Sequence, residues 1–391
     1  MTIHRLGVIS RITPLGAIAL TGALALTACG SDNNSAGSTG SATSAASAGS
    51  SSGASAAPAS GCGKGTLTAE GSTAQQKAIV QAIADYQRAC SGMTVNYNGT
   101  GSGAGVKQFI AGQVNFAGSD SPLATDPAPG ETKTEVQQAS ATCGSPALNL
   151  PMAAGAIAIA YNVKGVSGLV LDADTLAKIL KGKITTWNDP AIAKLNSGAS
   201  LPATAIKVFF RSDASGTTKN LTAYLNAKAP SVWTDAPSKS WSGAGEGKKG
   251  SADIATSVSG TDGGLGYMEQ SYVKESKLNA AKIGTSASDA LAPEGEAFAK
   301  AAAGGAVTAT GNDVRVKFDY TKPAKGAYPI PIVTYEIVCS KYKDATVANN
   351  VKSFLKFWST PAEQQAIAPI GYTPLPSSVM TKVTAAIASV S

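Results

Sequence analysis

The sequence predicts an α/β protein with two domains. Its 391 residues are enough for two average domains, and 43% of them are hydrophobic, which allows substantial cores. Short apolar runs of strand length alternate with amphipathic runs of helix length over most of the chain. Because such alternation is typical of sheets covered by helices, we expect α/β architecture throughout.

The N-terminus predicts export and a lipid anchor. Arg5 and Arg11 flank the start of an apolar run that reaches residue 26 and is too short to span a membrane, so residues 1–28 are interpreted as a signal peptide. The sequence Leu-Thr-Ala-Cys-Gly at 26–30 resembles a bacterial lipobox, which implies cleavage before Cys29 and acylation of that cysteine. A plain signal peptide with an incidental cysteine is the alternative.

Residues 29–63 predict a flexible tether. Nearly all of them are Ser, Gly, Ala, Asn or Thr. This composition cannot bury enough apolar surface to offset its chain entropy. We therefore expect a folded body that moves near the membrane surface on this tether.

Three predicted strands at the start of the folded part each end in a polar turn. The strands cover 66–70, 93–97 and 114–117, with helices over 74–88 and 106–112. The turns are Gly71–Thr73, a glycine-rich loop at Asn98–Gly105, and Gly118–Pro122. The loop is a weak dinucleotide-binding signal because it follows the second strand rather than the first. Its glycines permit close approach of the backbone to a ligand, with Ser102 as a hydroxyl donor.

The rest of the chain continues the alternation. Long apolar stretches over 147–162 and 328–338 predict strands. Between them we expect helices over 172–180, 252–259 and 290–303 and one ending near 195, strands over 206–210 and 264–269, and an exposed loop over 242–250. Helices over 345–358, 361–368 and 377–390 close the chain.

The stretch from Arg211 to Thr218 has the features of an anion site. It lies between an apolar run and an amphipathic one, so it predicts a polar turn at the start of a helix. A helix start offers N–H groups without partners and a partial positive charge. Arg211 adds a planar, permanently charged fork, and Ser215 and Thr217 add hydroxyl donors. An ordinary turn with a helix cap is the alternative interpretation.

Composition excludes several kinds of chemistry. Cleavage after residue 28 removes Arg5, Arg11 and the only histidine, His4, which lowers the formal net charge from +7 to +5. Without histidine, the mature chain has no Ser-His-Asp triad, no Cys-His pair and no histidine-bound metal. Its lysines are scattered, so we expect no nucleic-acid binding, and we also expect no metal, no cofactor and no catalytic residue. The modest positive balance favours the approach of a small anion.

Four cysteines remain after Cys29, an even number that predicts two disulfides in an exported protein. Three pairings are open. We favour Cys62 with Cys90, at either end of the first strand–helix unit, and Cys143 with Cys339, each beside a long apolar strand. A zinc site is disfavoured because no paired CxxC spacing occurs and no histidine is left.

Six short motifs carry a family resemblance. In chain order they are Gly71–Thr73, Gly99–Gly105, Ala117–Asp120, Gly182–Pro190, Arg211–Thr218 and Gly266–Glu269. Together they resemble the motifs of PstS, the phosphate-binding proteins of high-affinity ABC importers, over roughly residues 66–376. A single motif is only moderately specific, whereas the combination is highly specific.

The resemblance implies a two-lobed periplasmic-binding-protein fold of type II, in which two α/β lobes close over a cleft by hinge bending. Lobe one would comprise 64–152 and 326–391, and lobe two 153–325. The two long apolar stretches would then be the strands that cross the hinge.

The resemblance also implies a set of phosphate ligands. They are Thr73, the N–H of Ala74, Ser102 and Asp120 from lobe one, and Arg211, Ser215, Gly216 and Thr217 from lobe two. Asp213 would hold the guanidinium of Arg211. Ala74 stands where the family often has an aromatic residue, so the cover over the site is expected to differ. Asp120 is expected to carry selectivity, because a carboxylate accepts a hydrogen bond from protonated phosphate and repels fully ionised sulfate.

The predicted function is high-affinity, extracytoplasmic binding of inorganic phosphate and its delivery to the transmembrane subunits of an ABC-type permease. We expect a monomer held at the outer face of the cell membrane by the lipid on Cys29. The main alternative is a receptor for another tetrahedral oxyanion, such as sulfate, molybdate or arsenate. A secreted phosphatase or an adhesin is the second alternative.

Overall fold

A computed structural model describes residues 61–391 of the chain. The predicted signal peptide, Cys29 and the tether up to residue 60 lie outside the described residues. No helix within the described range is both long and apolar enough to cross a membrane.

Strands and helices alternate through the described part as predicted. The strands are β1 (Gly65–Gly71), β2 (Met93–Gly99), β3 (Phe116–Ser119), β4 (Ala147–Asn162), β5 (Val170–Leu171), β6 (Lys207–Arg211), β7 (Glu246–Lys248), β8 (Gly264–Glu269), β9 (Asn279–Ala280), β10 (Lys282–Ile283), β11 (Ala306–Thr310), β12 (Asp313–Lys317) and β13 (Pro331–Cys339). The helices are α1 (Gln76–Ala89), α2 (Ser102–Ile110), α3 (Glu135–Cys143), α4 (Ala173–Leu180), α5 (Pro190–Leu195), α6 (Gly216–Lys228), α7 (Gly250–Ser259), α8 (Gln270–Ser276), α9 (Gly295–Ala303), α10 (Ala345–Trp358), α11 (Pro361–Ala366) and α12 (Ser377–Ser389).

One long sheet runs through the described part in the order β2-β1-β3-β13-β4-β8-β6-β7, with β9 also paired to β4. Strand β4 joins its two halves. From Ala147 to Ala156 β4 pairs with β13, and from Ile157 to Asn162 it pairs with β8. We call β2, β1, β3 and β13 the first half of the sheet, and β8, β6 and β7 the second half. Because β4 takes part in both, continuous backbone connects them.

Each half of the sheet has its own hydrophobic core. The first core includes Leu67, Phe116, Phe354 and Trp358. The second core includes Ile159, Trp187, Trp233 and Leu265. A smaller cluster that includes Phe109 also lies on the first half, and one that includes Ile254 lies on the second. Because a sheet must bury its apolar faces against helices, separate clusters on the two halves agree with the two α/β lobes that the sequence predicts.

The hairpin of β11 and β12 packs against the first core, although it lies at 306–317, inside the range predicted for lobe two. Val314 belongs to the first core, and Val307 and Val316 pack on it. The carboxylate of Asp313 accepts hydrogen bonds from the backbone N–H and the side-chain amide of Asn149 on β4. These contacts fix the hairpin to the lobe that contains β13.

Helix α2 begins at Ser102, four residues earlier than the sequence predicts. Glycines argue against a helix when only propensity is considered. Gly101, just before the helix, has φ 103°, a conformation that glycine adopts far more readily than other residues. At Gly103 a Cβ would lie 2.4 Å from the Cβ of Ala214. The glycines therefore serve tertiary packing, which overrides their low helix propensity.

Other differences from the predicted elements are local. The loop over 242–250 contains the short edge strand β7, and α9 begins at Gly295 rather than at 290. Helices α3 and α8 and the hairpin β11–β12 are additional to the prediction. Helix α3 begins with a capping box between Thr134 and Gln137. Its apolar residues form only a weak helical pattern, so the sequence does not predict this helix.

Both favoured disulfides are present. Cys62 pairs with Cys90, and Cys143 pairs with Cys339, each with a Cα–Cα distance of 5.5 Å. The second bond joins the end of α3 to the end of β13. The favoured pairing among the three open ones is therefore confirmed.

The first core yields a stability prediction. Phe354 is fully buried, with ring centroids of Tyr86 and Phe116 at 5.4 and 5.9 Å. Phe354→Ala should lower the free energy of unfolding by about 3–5 kcal/mol, because it leaves a cavity. Val80→Ala on α1, where the side chain is 49% exposed, is the control and should change it by less than about 0.5 kcal/mol. Equal losses in urea unfolding would contradict the assignment of this core.

Candidate anion-binding site

Four helices begin around one buried point between the two halves of the sheet. Helices α1 and α2 follow β1 and β2, while α6 and α7 follow β6 and β7. Across this point the Thr73 hydroxyl oxygen lies 3.1 Å from that of Ser251, and a Cβ on Gly216 would lie 2.8 Å from Ser102 Oγ. Because helix N-termini carry partial positive charge and N–H groups without intrahelical partners, their convergence favours a bound anion.

Arg211 supplies a buried positive charge at this point. It is the last residue of β6 and is 1% exposed. Its Nε donates to Asp213 Oδ1 at 2.7 Å and its NH2 to Oδ2 at 2.5 Å, while NH1 donates to Ser251 Oγ at 3.2 Å. Burial alone would raise the pKa of Asp213, but the hydrogen bonds and charge of Arg211 lower it overall. The pair is thus charged, and NH1 is the nitrogen directed away from Asp213.

Asp120 is a buried carboxylate surrounded by hydroxyl groups. It follows β3 and is 3% exposed. Its Oδ1 accepts from the hydroxyl of Ser72, and its Oδ2 accepts from Ser102 Oγ at 2.9 Å. Burial raises the pKa of Asp120 to about 7, with a further rise from the negative charge of Glu269. Near neutral pH this carboxyl group is therefore only partly ionised.

A second buried carboxylate, Glu269, ends β8 beside the start of α6. It is 1% exposed, and its Oε1 accepts from the hydroxyl of Thr217 at 2.7 Å. The same hydroxyl oxygen is 3.5 Å from Asp120 Oδ2. One threonine hydroxyl therefore lies between two carboxylates.

The start of α6 brings the two halves into direct contact. Ser215 is the N-cap, and its hydroxyl accepts from the N–H of Thr218 at 3.3 Å. A Cβ on Gly216 would lie 2.6 Å from the Cβ of Asp120, so only glycine allows this approach. As the first two residues of the helix, Gly216 and Thr217 have N–H groups without intrahelical partners.

The turn before α1 lies on the opposite side of the point. The N–H of Ala74 donates to Ser72 Oγ at 2.9 Å, so the main-chain donor predicted for the ligand is engaged by the chain itself. The Ala74 side chain is fully buried. Two aromatic side chains hold this turn, since Tyr272 donates to the carbonyl of Thr73 at 2.9 Å and Tyr372 to that of Ala74 at 2.6 Å.

A buried polar network supports this turn from behind. Tyr97 donates its hydroxyl to the carbonyl of Ser72 at 2.7 Å. The amide of Gln75 donates to Tyr97 at 3.2 Å and to Glu336 on β13 at 2.6 Å. Burial raises the pKa of Glu336 well above its ordinary value. Ser72 is thus fixed between this network and Asp120.

The residues predicted as phosphate ligands, together with Asp213, lie around this one point. Three neighbours there, Ser72, Ser251 and Glu269, were not assigned a role from the sequence. Ser251 is the second residue of α7, which begins at Gly250 shortly after β7. Ser72 and Glu269 lie inside two of the quoted motifs but carried no assigned role. Across residues 61–391, no group of three or more His, Cys, Asp or Glu residues could hold a metal ion.

Comparison with known proteins assigns the family. A family model for the PBP superfamily domain matches residues 56–361. Phosphate-binding protein PstS 3 of Mycobacterium leprae is 43% identical over 374 residues, covering 94% of this chain and 95% of that protein. The chain belongs to the PstS family. PstS 2 of Mycobacterium tuberculosis is 41% identical, covering 95% of this chain and 96% of that protein.

Solved structures confirm the fold of this PstS family member. A periplasmic phosphate-binding protein named PfluDING, bound with phosphate, aligns with a TM-score of 0.64 at 23% identity, covering 82% of this chain and 93% of that one. A phosphate-binding protein from Stenotrophomonas maltophilia aligns with a TM-score of 0.60 at 22% identity, covering 82% and 94%. At this identity the likeness establishes the two-lobed fold alone, which agrees with the predicted fold class.

The raised pKa of Asp120 gives this PstS family member a pH-dependent stability. The pKa is 3.8 for an ordinary aspartate and about 7 in the fold, so the folded state favours the protonated carboxyl. The protonated carboxyl of Asp120 therefore stabilises the folded state fully below pH 3.8, and this stabilisation is lost as the pH rises to 7. The full loss is on the order of 4 kcal/mol.

Urea unfolding without phosphate, at pH 4, 5.5 and 7, measures this effect. The free energy of unfolding of the wild type should fall relative to that of Asp120→Asn as the pH rises, because asparagine does not titrate. A difference between the two proteins that stays constant with pH would contradict a raised pKa at Asp120.

Proposed function

We propose that this protein binds inorganic phosphate between its two lobes and delivers it to an ABC-type phosphate permease. The observation that carries the proposal is the buried carboxylate of Asp120 placed among helix N-termini and across from Arg211. A site of this kind attracts an anion but includes one acceptor that requires a proton on the ligand. Inorganic phosphate keeps such a proton at neutral pH, and sulfate does not.

The proposed ligand set follows the predicted one. NH1 of Arg211, the Ser215 hydroxyl and the N–H groups of Gly216 and Thr217 contact the anion from lobe two. From lobe one the contacts are the hydroxyls of Thr73 and Ser102, the N–H of Ala74 and the carboxylate of Asp120. For Ala74 this requires that its N–H leave Ser72 Oγ when the ligand enters. Charge-assisted hydrogen bonds of this type are about twice as strong as neutral ones.

Two ion pairs across the cleft support a closed state around the ligand. Lys239, after α6, lies 2.9 Å from Glu135 on α3, and Lys77 on α1 pairs with Glu275 on α8. Each lobe thus contributes one cation and one anion. The backbone carbonyl of Lys239 also accepts from the N–H of Ser215 at 2.9 Å, which ties one pair to the ligand site. Partly exposed pairs of this kind are worth about 1 kcal/mol each.

The finer assignments rest on the sequence and the family together. We propose lobes at 64–152 with 326–391 and at 153–325, except that the β11–β12 hairpin at 306–317 packs on the first lobe. We also propose a signal peptide over 1–28, a lipid on Cys29, a tether over 29–63, and a monomer at the outer face of the cell membrane. A candidate phosphate ABC transporter substrate-binding protein from Clostridium perfringens is among the similar structures, at a TM-score of 0.57 and 18% identity. Mass spectrometry of the mature protein would detect the lipid, and an unmodified N-terminus at another residue would contradict it.

Calorimetry with phosphate and then sulfate tests the ligand and the role of Asp120. The wild type should bind phosphate far more tightly than sulfate, since a site built around a ligand hydroxyl can reject an analogue lacking it by about 10⁴-fold. Asp120→Asn should lower the ratio of the sulfate Kd to the phosphate Kd by roughly tenfold or more, because the amide no longer repels an ionised oxygen. Asp253→Asn, an exposed aspartate on α7, is the control. Undiminished discrimination by Asp120→Asn would refute the assignment.

The close approach of α6 to Asp120 gives a second test. Gly216→Ala places a Cβ within 2.6 Å of the Cβ of Asp120 and should weaken phosphate binding by roughly tenfold or more, since the lobes can no longer close fully. Gly198→Ala is the matched control, because a Cβ there meets nothing within 4 Å. Equal phosphate affinities of the two variants in calorimetry would show that closure does not depend on this contact.

A further inference from the structure

The candidate site contains more negative than positive charge. The carboxylates of Asp120, Asp213 and Glu269 are grouped around one guanidinium, that of Arg211. Asp213 is matched by Arg211 through two hydrogen bonds. Within residues 61–391, Asp120 and Glu269 therefore remain as two buried carboxylates that have hydroxyl partners and form no ion pair.

The Thr217 hydroxyl links these two carboxylates but has only one proton. Its oxygen is 2.7 Å from Glu269 Oε1 and 3.5 Å from Asp120 Oδ2. Since a hydroxyl donates one full hydrogen bond, the shorter contact takes the proton. Glu269 thus withdraws from Asp120 a donor that would stabilise its ionised form. The negative charge of Glu269 acts in the same direction.

The charged and titratable groups around the pair come from several elements. Those that interact with Asp120 are Glu269, Arg211, Glu336, Tyr97 and Tyr272. Those that interact with Glu269 are Asp120, Arg211, Tyr272 and Tyr372. Among them Glu269 is the carboxylate that shares a hydroxyl with Asp120.

We propose that Glu269, acting through the hydroxyl of Thr217, is a positioning residue that sets the pH range over which Asp120 excludes fully ionised anions. An ionised Asp120 repels sulfate and accepts a hydrogen bond from the protonated oxygen of phosphate. A protonated Asp120 becomes a hydroxyl donor and admits sulfate. Because Glu269 favours the protonated form of Asp120, the preference for phosphate over sulfate is lost at a higher pH than it would be without Glu269. This inference rests on the proposed phosphate site and assigns it a pH-controlled selectivity.

The test compares the ratio of the sulfate Kd to the phosphate Kd from pH 5.5 to pH 8.5. In the wild type this ratio should fall as the pH drops below about 7, where Asp120 becomes protonated. In Glu269→Gln the fall should occur roughly one pH unit lower, so that at pH 5.5 the ratio is about tenfold larger than in the wild type. Glutamine keeps the size of the side chain, removes its charge, and can donate to the Thr217 oxygen.

Two further variants separate this role from a structural one. Glu363→Gln on α11 is the matched control, because Glu363 is also a buried glutamate and interacts instead with Asp85 and Arg88. Its profile should coincide with that of the wild type. Glu269→Asp keeps the charge but withdraws it from Thr217, so it should shift the profile by a smaller amount in the same direction. It also provides the test if Glu269→Gln does not fold.

The outcomes are distinct. Profiles of Glu269→Gln and Glu269→Asp that superimpose on that of the wild type would overturn the inference and leave phosphate binding intact. A wild-type ratio that does not change with pH would overturn it as well. No phosphate binding by the wild type at any pH would instead refute the proposed function.

Discussion

The structure depends on the burial of charge where two lobes meet. Arg211, Asp120 and Glu269 are each at most 3% exposed. A buried charge is tolerated only with partners, and the partners here come from both lobes. Asp120 follows β3 in one lobe and lies against α6 of the other. Ser251, which accepts a hydrogen bond from Arg211, lies 3.1 Å from the hydroxyl oxygen of Thr73 in the opposite lobe. Closure of the lobes supplies these partners, while Arg211 and the helix N-termini favour an anionic ligand between the lobes.

Backbone geometry makes this charge arrangement possible. The parallel strands of each half direct their carboxyl ends to the same point, and the helices that follow begin there. Gly216 allows the start of α6 to approach Asp120, and Gly101 allows the chain to pass Asp213, whose Oδ2 would lie 2.2 Å from a Cβ. Strand β4 carries both lobes on one continuous backbone, so a hinge bend there would change the distance between these groups without separating the halves.

Much of the fold and of the candidate site could be predicted from the sequence, because the signals are local. The apolar length of β4, the polar turns after the strands and the Arg211–Thr218 stretch each depend on neighbouring residues. The roles of Ser251 and Glu269 could not be predicted in that way, because their partners Thr73 and Thr217 are 178 and 52 residues away. The early start of α2 was missed for a related reason, since its glycines are explained by contacts with Ala214 in the other lobe.

A crystal structure grown with phosphate tests the central claim most directly. The account predicts one tetrahedral anion between the lobes, with one oxygen on a carboxylate oxygen of Asp120. The remaining oxygens should lie within hydrogen-bond distance of Arg211 NH1 and of the N–H groups of Gly216 and Thr217. An anion bound elsewhere, or one whose oxygens do not contact Asp120 and Arg211, would contradict it.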